Sequence, residues 1–132
     1  MRYLLDTHTL IWALEAPERL PAQVQAILGD PANLPFGVAS ITPWEIALLS
    51  TRGRLQLGRP VSDWLAAALH PDFVSLLPLL PAIAVDSCTL PGSFHADPAD
   101  RMIVATARHH GLTLLTADAA IQAYPHLRTL WD

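Results

Sequence analysis

One feature limits the possible folds more than any other: short apolar runs of strand length recur along the chain with helix-patterned stretches between them. Arg2 to Leu5, Phe36 to Ser40, Phe73 to Leu77, Leu112 to Thr116 and Arg128 to Trp131 read as strands. Between the first two, His8 to Glu15 carries Leu10, Ile11 and Leu14 at helical spacing, and Pro21 to Leu28 repeats the pattern with Val24, Ile27 and Leu28. A further helix runs from Thr42 through Glu45, Ile46 and Leu49 towards Gly53, and Val61 to Leu69 sets Trp64, Leu65 and Leu69 on one side. Ala82 to Leu90 fits either a short helix or an extended turn. Pro98 to His110 is the clearest helix, closed by Gly111, and Ala119 to Tyr124 is the last.

Strands separated by helices pair in parallel through right-handed crossovers, with helices over both faces of the sheet. The expected fold is therefore α/β, a three-layer α/β/α sandwich with a short parallel sheet of about four or five strands. The 132 residues fit one domain, 1–132, and no repeat or linker divides them. A chain of this length buries about two-thirds of the surface it exposes when unfolded, enough for its own core.

Composition removes several classes of function. Hydrophobic residues make up 52% and charged residues 15%, the reverse of a disordered chain. The lone Cys88 leaves no internal disulfide framework and no Cys-rich zinc site, and it reads as a small buried apolar residue. The longest apolar run, Leu76 to Val85, is broken by Pro78 and Pro81 and is half the length of a membrane span. The N-terminus MRYLLD lacks a secretory signal, so a cytoplasmic location with no membrane partner is expected. Net charge is −4 and all eight basic residues are Arg. That balance argues against nucleic-acid binding through a broad basic face, but not against an enzyme whose bound cations draw phosphates in.

The chemistry lies in the placement of acids. Asp6 ends the first strand, Glu45 and Asp100 lie in the first turns of their helices, and Asp118 follows the Leu112 to Thr116 strand. In an open parallel sheet such positions converge on the crevice outside the carboxyl ends of the strands. Capping explains three of them singly. Thr42-Pro43-Trp44-Glu45 has the form of a capping box, Asp97 is an N-cap with Asp100 favoured by the helix dipole, and Asp118 can cap its own short helix. Asp6 is harder to place, because a carboxylate after a buried strand is costly unless something neutralises it. Several carboxylates in one crevice raise each other's pKa, and oxygen-only ligands suit Mg²⁺ or Mn²⁺ better than zinc. The pattern points to metal-dependent phosphodiester chemistry.

The blocks LLDTHTLIW, ASITPWEIA, HADPADRMIVATA and LLTADAAI resemble the PIN domain, and within it the VapC-type toxins of bacterial toxin–antitoxin pairs. All four stand in family order and span the whole chain. The resemblance implies a Mg²⁺- or Mn²⁺-dependent endoribonuclease using one or two ions. Its acidic cluster falls on Asp6, Glu45, Asp100 and Asp118. Asp6, Asp100 and Asp118 would hold the cations, and Glu45 would bind one or orient the attacking water. Asp97 is a supporting acid or a cap, and Thr7, Ser40 and Thr116 stand where the family places hydroxyls that bond the acids or metal waters. Arg101 is a candidate contact for phosphate or for an acid. The implied partners are RNA, a cognate antitoxin docking on apolar residues of the early helices such as Trp12 and Trp44, and a second copy in a homodimer.

Other readings compete. His8 and His95 adjoin the acid blocks and fit turn or packing roles better than catalysis, and His109-His110 suits a helix C-terminus. A haloacid-dehalogenase-like phosphatase needs a second Asp where His8 stands, and a phospho-acceptor receiver domain needs a Lys that this chain lacks. A catalytically silent PIN-fold binding module is the non-enzymatic alternative, and the four intact acids weigh against it.

Overall fold

The computed structural model describes residues 1–132. Five strands form one sheet: β1 (Tyr3–Leu5), β2 (Phe36–Ala39), β3 (Val74–Leu77), β4 (Thr113–Leu115) and β5 (Thr129–Leu130). Their order is β3-β2-β1-β4-β5 and every pairing is parallel, with Leu4 opposite both Gly37 and Leu114. Seven α-helices connect them: α1 (Thr7–Glu15), α2 (Ala22–Gly29), α3 (Ile41–Thr51), α4 (Val61–Ala68), α5 (Pro81–Cys88), α6 (Pro98–His110) and α7 (Ala119–Gln122). The expected α/β sandwich is the observed one, with five strands. Ala82 to Leu90, open in sequence, is helical from Pro81. Short 3₁₀ turns at Pro17–Arg19 and Pro31–Asn33 lie outside the sequence reading, because three residues leave no periodic signal.

Successive strand residues face opposite sides, and the core divides accordingly. Leu4, Ala39, Leu77 and Leu114 face Ile83 of α5, Ile103, Val104 and Ala107 of α6, and Ile121 of α7. Leu5, Phe36, Val38, Val74 and Leu115 face Leu10 and Ile11 of α1, Val24 of α2, Ile46 of α3 and Trp64 of α4. The first four helices thus cover one face and the last three the other. Gly111 stops α6 in the left-handed conformation at φ +65°, and the Leu112 N–H returns to the Ala107 carbonyl at 2.9 Å. That closure turns the chain directly into β4.

Cys88 is exposed, contrary to the expectation that it is buried. It ends α5, whose inward face is set by Ile83 and Ser87, and the next position along the helix points to water. No helix is long and apolar enough to cross a membrane.

Candidate active site

The sheet order reverses at β1: the chain leaves it for β2 on one side and later returns to β4 on the other. The crevice at such a switch point is where open parallel sheets bind ligands. Asp6 stands at this point, at the carboxyl end of β1 and as the N-cap of α1, and it is 8% exposed. Its Oδ1 accepts the Thr7 N–H at 2.9 Å and its Oδ2 accepts the Thr116 hydroxyl at 2.6 Å. Burial pushes its pKa up, while the Thr116 and Thr7 donors pull it back. The costly carboxylate is therefore held by two short donors.

Thr116, just past β4, ties two acids together. Its oxygen donates to Asp6 and accepts the Asp118 N–H at 3.1 Å. Asp118 caps α7 by accepting the Ile121 N–H at 3.0 Å and is itself exposed. On the other side of Asp6, Thr7 donates to Glu45 Oε1 at 2.6 Å. With Glu45 ionised, Thr7 has spent its single proton, so the Thr42 hydroxyl, 3.1 Å away, donates to Thr7. Glu45 is raised first by burial, is lowered by the Thr7 hydrogen bond, and is raised further by the charges of Asp6 and Asp97.

This arrangement corrects the capping-box expectation. α3 begins at Ile41 rather than after Thr42, because Ser40 already adopts helical angles. Thr42 is fully buried with its hydroxyl on Thr7, and Glu45 reaches across to α1 instead of back to its own helix. Thr42 was missed as a supporting residue, although its i, i+3 spacing from Glu45 puts the two on one helix face. Ser40 is also corrected: its hydroxyl donates to the Leu77 carbonyl at the end of β3 and joins none of the acids.

Asp97 caps α6 as expected, accepting the N–H groups of Ala99 at 2.9 Å and Asp100 at 3.2 Å. Asp100 follows in the first turn, and burial pushes its pKa up to about 7, reinforced by the charges of Asp6, Asp97, Glu45 and Asp118. One carboxyl thus feels every other acid of the group, so the fold gathers all five. Arg101 turns away from them. Its Nε donates to the Ser87 carbonyl at 2.7 Å, and its Nη1 donates to the Phe94 and His95 carbonyls at 3.1 Å each. Those bonds tie Nε and Nη1 to three backbone carbonyls and to none of the acids, so the expected acid contact is not made. His95 Nε2 lies 3.3 Å from Asp100 Oδ2, so this histidine does reach an acid. His8 is exposed and tilted against Trp12.

A cleft of about 490 Å³ opens beside Glu45 and Asp97, walled by Ile41, Trp44, Leu48 and Met102. Trp44 is 56% exposed there. No three His, Cys, Asp or Glu side chains converge closely enough to hold one ion by direct ligation. The donor set still suits a hard cation. It is all oxygen, its members repel one another, and Mg²⁺ commonly takes one or two carboxylates and fills its remaining positions with water.

The model of the PIN domain family matches residues 3–127. The chain is 36% identical over 130 residues to Ribonuclease VapC22 of Mycobacterium tuberculosis, covering 97% of each. Its fold is similar to that of VapBC2 from Rickettsia felis bound to a promoter DNA fragment, with a TM-score of 0.73 at 18% identity over the whole of both chains. It is similar also to DNA-bound VapBC from Salmonella typhimurium, with a TM-score of 0.72 at 18% identity over 98% of this chain and 97% of that one. FitAcB from Neisseria gonorrhoeae gives a TM-score of 0.65 at 23% identity over 97% and 96%.

Proposed function

The chain belongs to the PIN-domain family, and from that premise we propose that it is the ribonuclease toxin of a toxin–antitoxin pair. In this reading it hydrolyses RNA phosphodiester bonds with Mg²⁺ or Mn²⁺, and an antitoxin protein is its natural partner. The observation that supports the chemistry most is the charge pressure on Asp100, a carboxyl held protonated to about 7 by burial and four neighbouring acids. A set of like charges assembled at that cost suits a site completed by cations.

Asp6, Asp100 and Asp118 are the residues that would hold one or two ions, with Glu45 as a further ligand or as the group that orients water. When bound, such an ion lowers the pKa of water and neutralises charge on the phosphate. Asp6 presents a fixed carboxylate, because Thr7 N–H and Thr116 Oγ1 each hold one of its oxygens. Glu45 gives one oxygen to Thr7, which leaves the other to accept a proton from water. Thr116 keeps Asp118 in register with Asp6. Asp97 fixes the start of α6 and so the place of Asp100.

The test is cleavage of total RNA by the purified chain with Mg²⁺ or Mn²⁺, beside an EDTA control and Asp6→Asn. The reading expects cleavage that EDTA and the substitution both abolish. Cleavage that survives both would refute the acidic site. A folded protein that neither binds the cation nor cuts RNA would favour the silent binding module.

A further inference from the structure

The eight arginines divide by what holds them. Arg101, Arg108 and Arg128 bond carbonyl groups or Asp86, while Arg2 and Arg19 lie over the rings of Tyr3 and Trp12. Arg52, Arg54 and Arg59 remain, exposed and with no side-chain hydrogen bond, ion pair or aromatic partner, and all three follow α3 in one segment. Two of them stand on a built helix end. Gly53 adopts φ +70°, its N–H bonds the Ser50 carbonyl at 3.1 Å, and the Arg54 N–H bonds the Leu49 carbonyl at 2.9 Å. That double closure fixes the end of α3, and Leu55 and Leu57 beyond it pack against the core.

Arg52 also continues the face of α3 that reaches the acids. Ile41, Trp44, Glu45 and Leu48 line the cleft of about 490 Å³. Arg52 follows Leu48 by four residues and Glu45 by seven, two turns or about 10 Å along the same face. One stripe therefore runs from the acid, past the half-exposed ring of Trp44, to the free cations. Arg59 lies off this stripe, in a hollow with Glu15 and Trp64.

We propose that this face of α3 is the track on which single-stranded RNA leaves the acidic site: a base stacks on Trp44 in the cleft, and Arg52 and Arg54 take phosphates beyond it. The inference rests on the reading of the chain as a ribonuclease. The charged groups that line the cleft are Glu45 and Asp97, which repel a phosphate and admit a neutral base. The phosphates then meet their cations at the helix end. A stacked strand carries a phosphate about every 3.4 Å along its axis, so about three steps span the distance from Glu45 to Arg52. An aromatic platform beside free cations holds a single strand without reading its sequence.

Salt separates the two kinds of contact in the test. Binding of a short fluorescein-labelled oligoadenylate is followed by anisotropy in Mg²⁺ over a range of KCl, with Asp6→Asn as the parent so that the strand stays whole. On that parent, Arg52→Gln and Arg54→Gln should each weaken binding about threefold, and together they should flatten the slope of log Kd against log salt by about 1.4. Trp44→Ala should weaken binding about fivefold or more at an unchanged slope, and Trp44→Phe should recover most of that loss. Arg59→Gln, an equal change of charge off the stripe, should keep the parent's slope. In cleavage of total RNA, with Asp6 restored, the Arg52 and Arg54 changes should raise KM at little-changed kcat. The proposal is overturned if the double arginine variant keeps the parent's slope, or if Arg59→Gln flattens it as much as Arg52→Gln does. It is overturned also if Trp44→Ala binds like the parent, which would leave the cleft to a protein segment. If the variants behave as expected but the wild type cuts no RNA, the track stands and the ribonuclease reading fails. A parent that binds no strand at any salt overturns the track, while cleavage by the wild type would still uphold the ribonuclease.

Discussion

Replacing Asp100 with Asn should stabilise the metal-free protein at and above neutral pH. The folded state holds the Asp100 proton to about 7, against 3.8 for the ordinary carboxyl. Between those values the folded chain binds more protons than the unfolded one, so wild-type stability falls as pH rises through the window and levels off above it. Taken whole, the difference corresponds to about 4 kcal/mol. The side chain is 20% exposed and water relaxes part of the penalty, so we take about half, roughly 2 kcal/mol. Asn also gives up the attraction of a carboxylate to the α6 N-terminus, about 0.3 to 1 kcal/mol. The burial and repulsion effect wins, and the net gain near pH 8 is about 1 to 1.5 kcal/mol, or roughly 3 to 6 °C in melting temperature for a chain of this size. Near pH 4 the two proteins should melt together. Thermal melts in EDTA across that range check this, and Mg²⁺ should then raise the wild type more than the variant. An Asp100→Asn protein that is no more stable than the wild type near pH 8, with an unchanged pH slope, would refute the charge-pressure argument.

Other expectations follow from the hydroxyl network and the caps. Thr116→Val removes the donor to Asp6 Oδ2 and should cost about 1 to 3 kcal/mol in urea unfolding, together with most RNA cleavage. Thr42→Val should lower cleavage by freeing Thr7 to rotate off Glu45, whereas Thr42→Ser should restore it. Asp97→Ala should destabilise the protein by about 0.5 to 2 kcal/mol through loss of the α6 cap, read as a lower denaturant midpoint at constant slope.

The strands, most helices and the acidic positions were legible because they rest on local signals. Apolar runs between helical periods forced a parallel sheet, and Gly111 marked the end of α6 to the residue. Asp97 followed the local rule for an N-cap before Pro, and the structure kept it. Tertiary contacts decided where reading failed. Ser40 and Thr42 looked like a strand end and a cap, but β3 claims the Ser40 hydroxyl and α1 claims that of Thr42. Arg101 sits beside an acid in sequence, yet successive helix positions point about 100° apart, and its guanidinium finds the Ser87 and Phe94 carbonyls instead. His95 depended on a loop geometry that no periodicity encodes.

The central claim, that these carboxylates are a divalent-cation site, is tested most directly by counting bound Mn²⁺ from the loss of the free-ion electron paramagnetic resonance signal. Wild-type protein should take up one or two ions per chain, and Asp6→Asn combined with Asp100→Asn should leave the ions free while still folding. Equal uptake by the two proteins, or none by the wild type, would contradict the account.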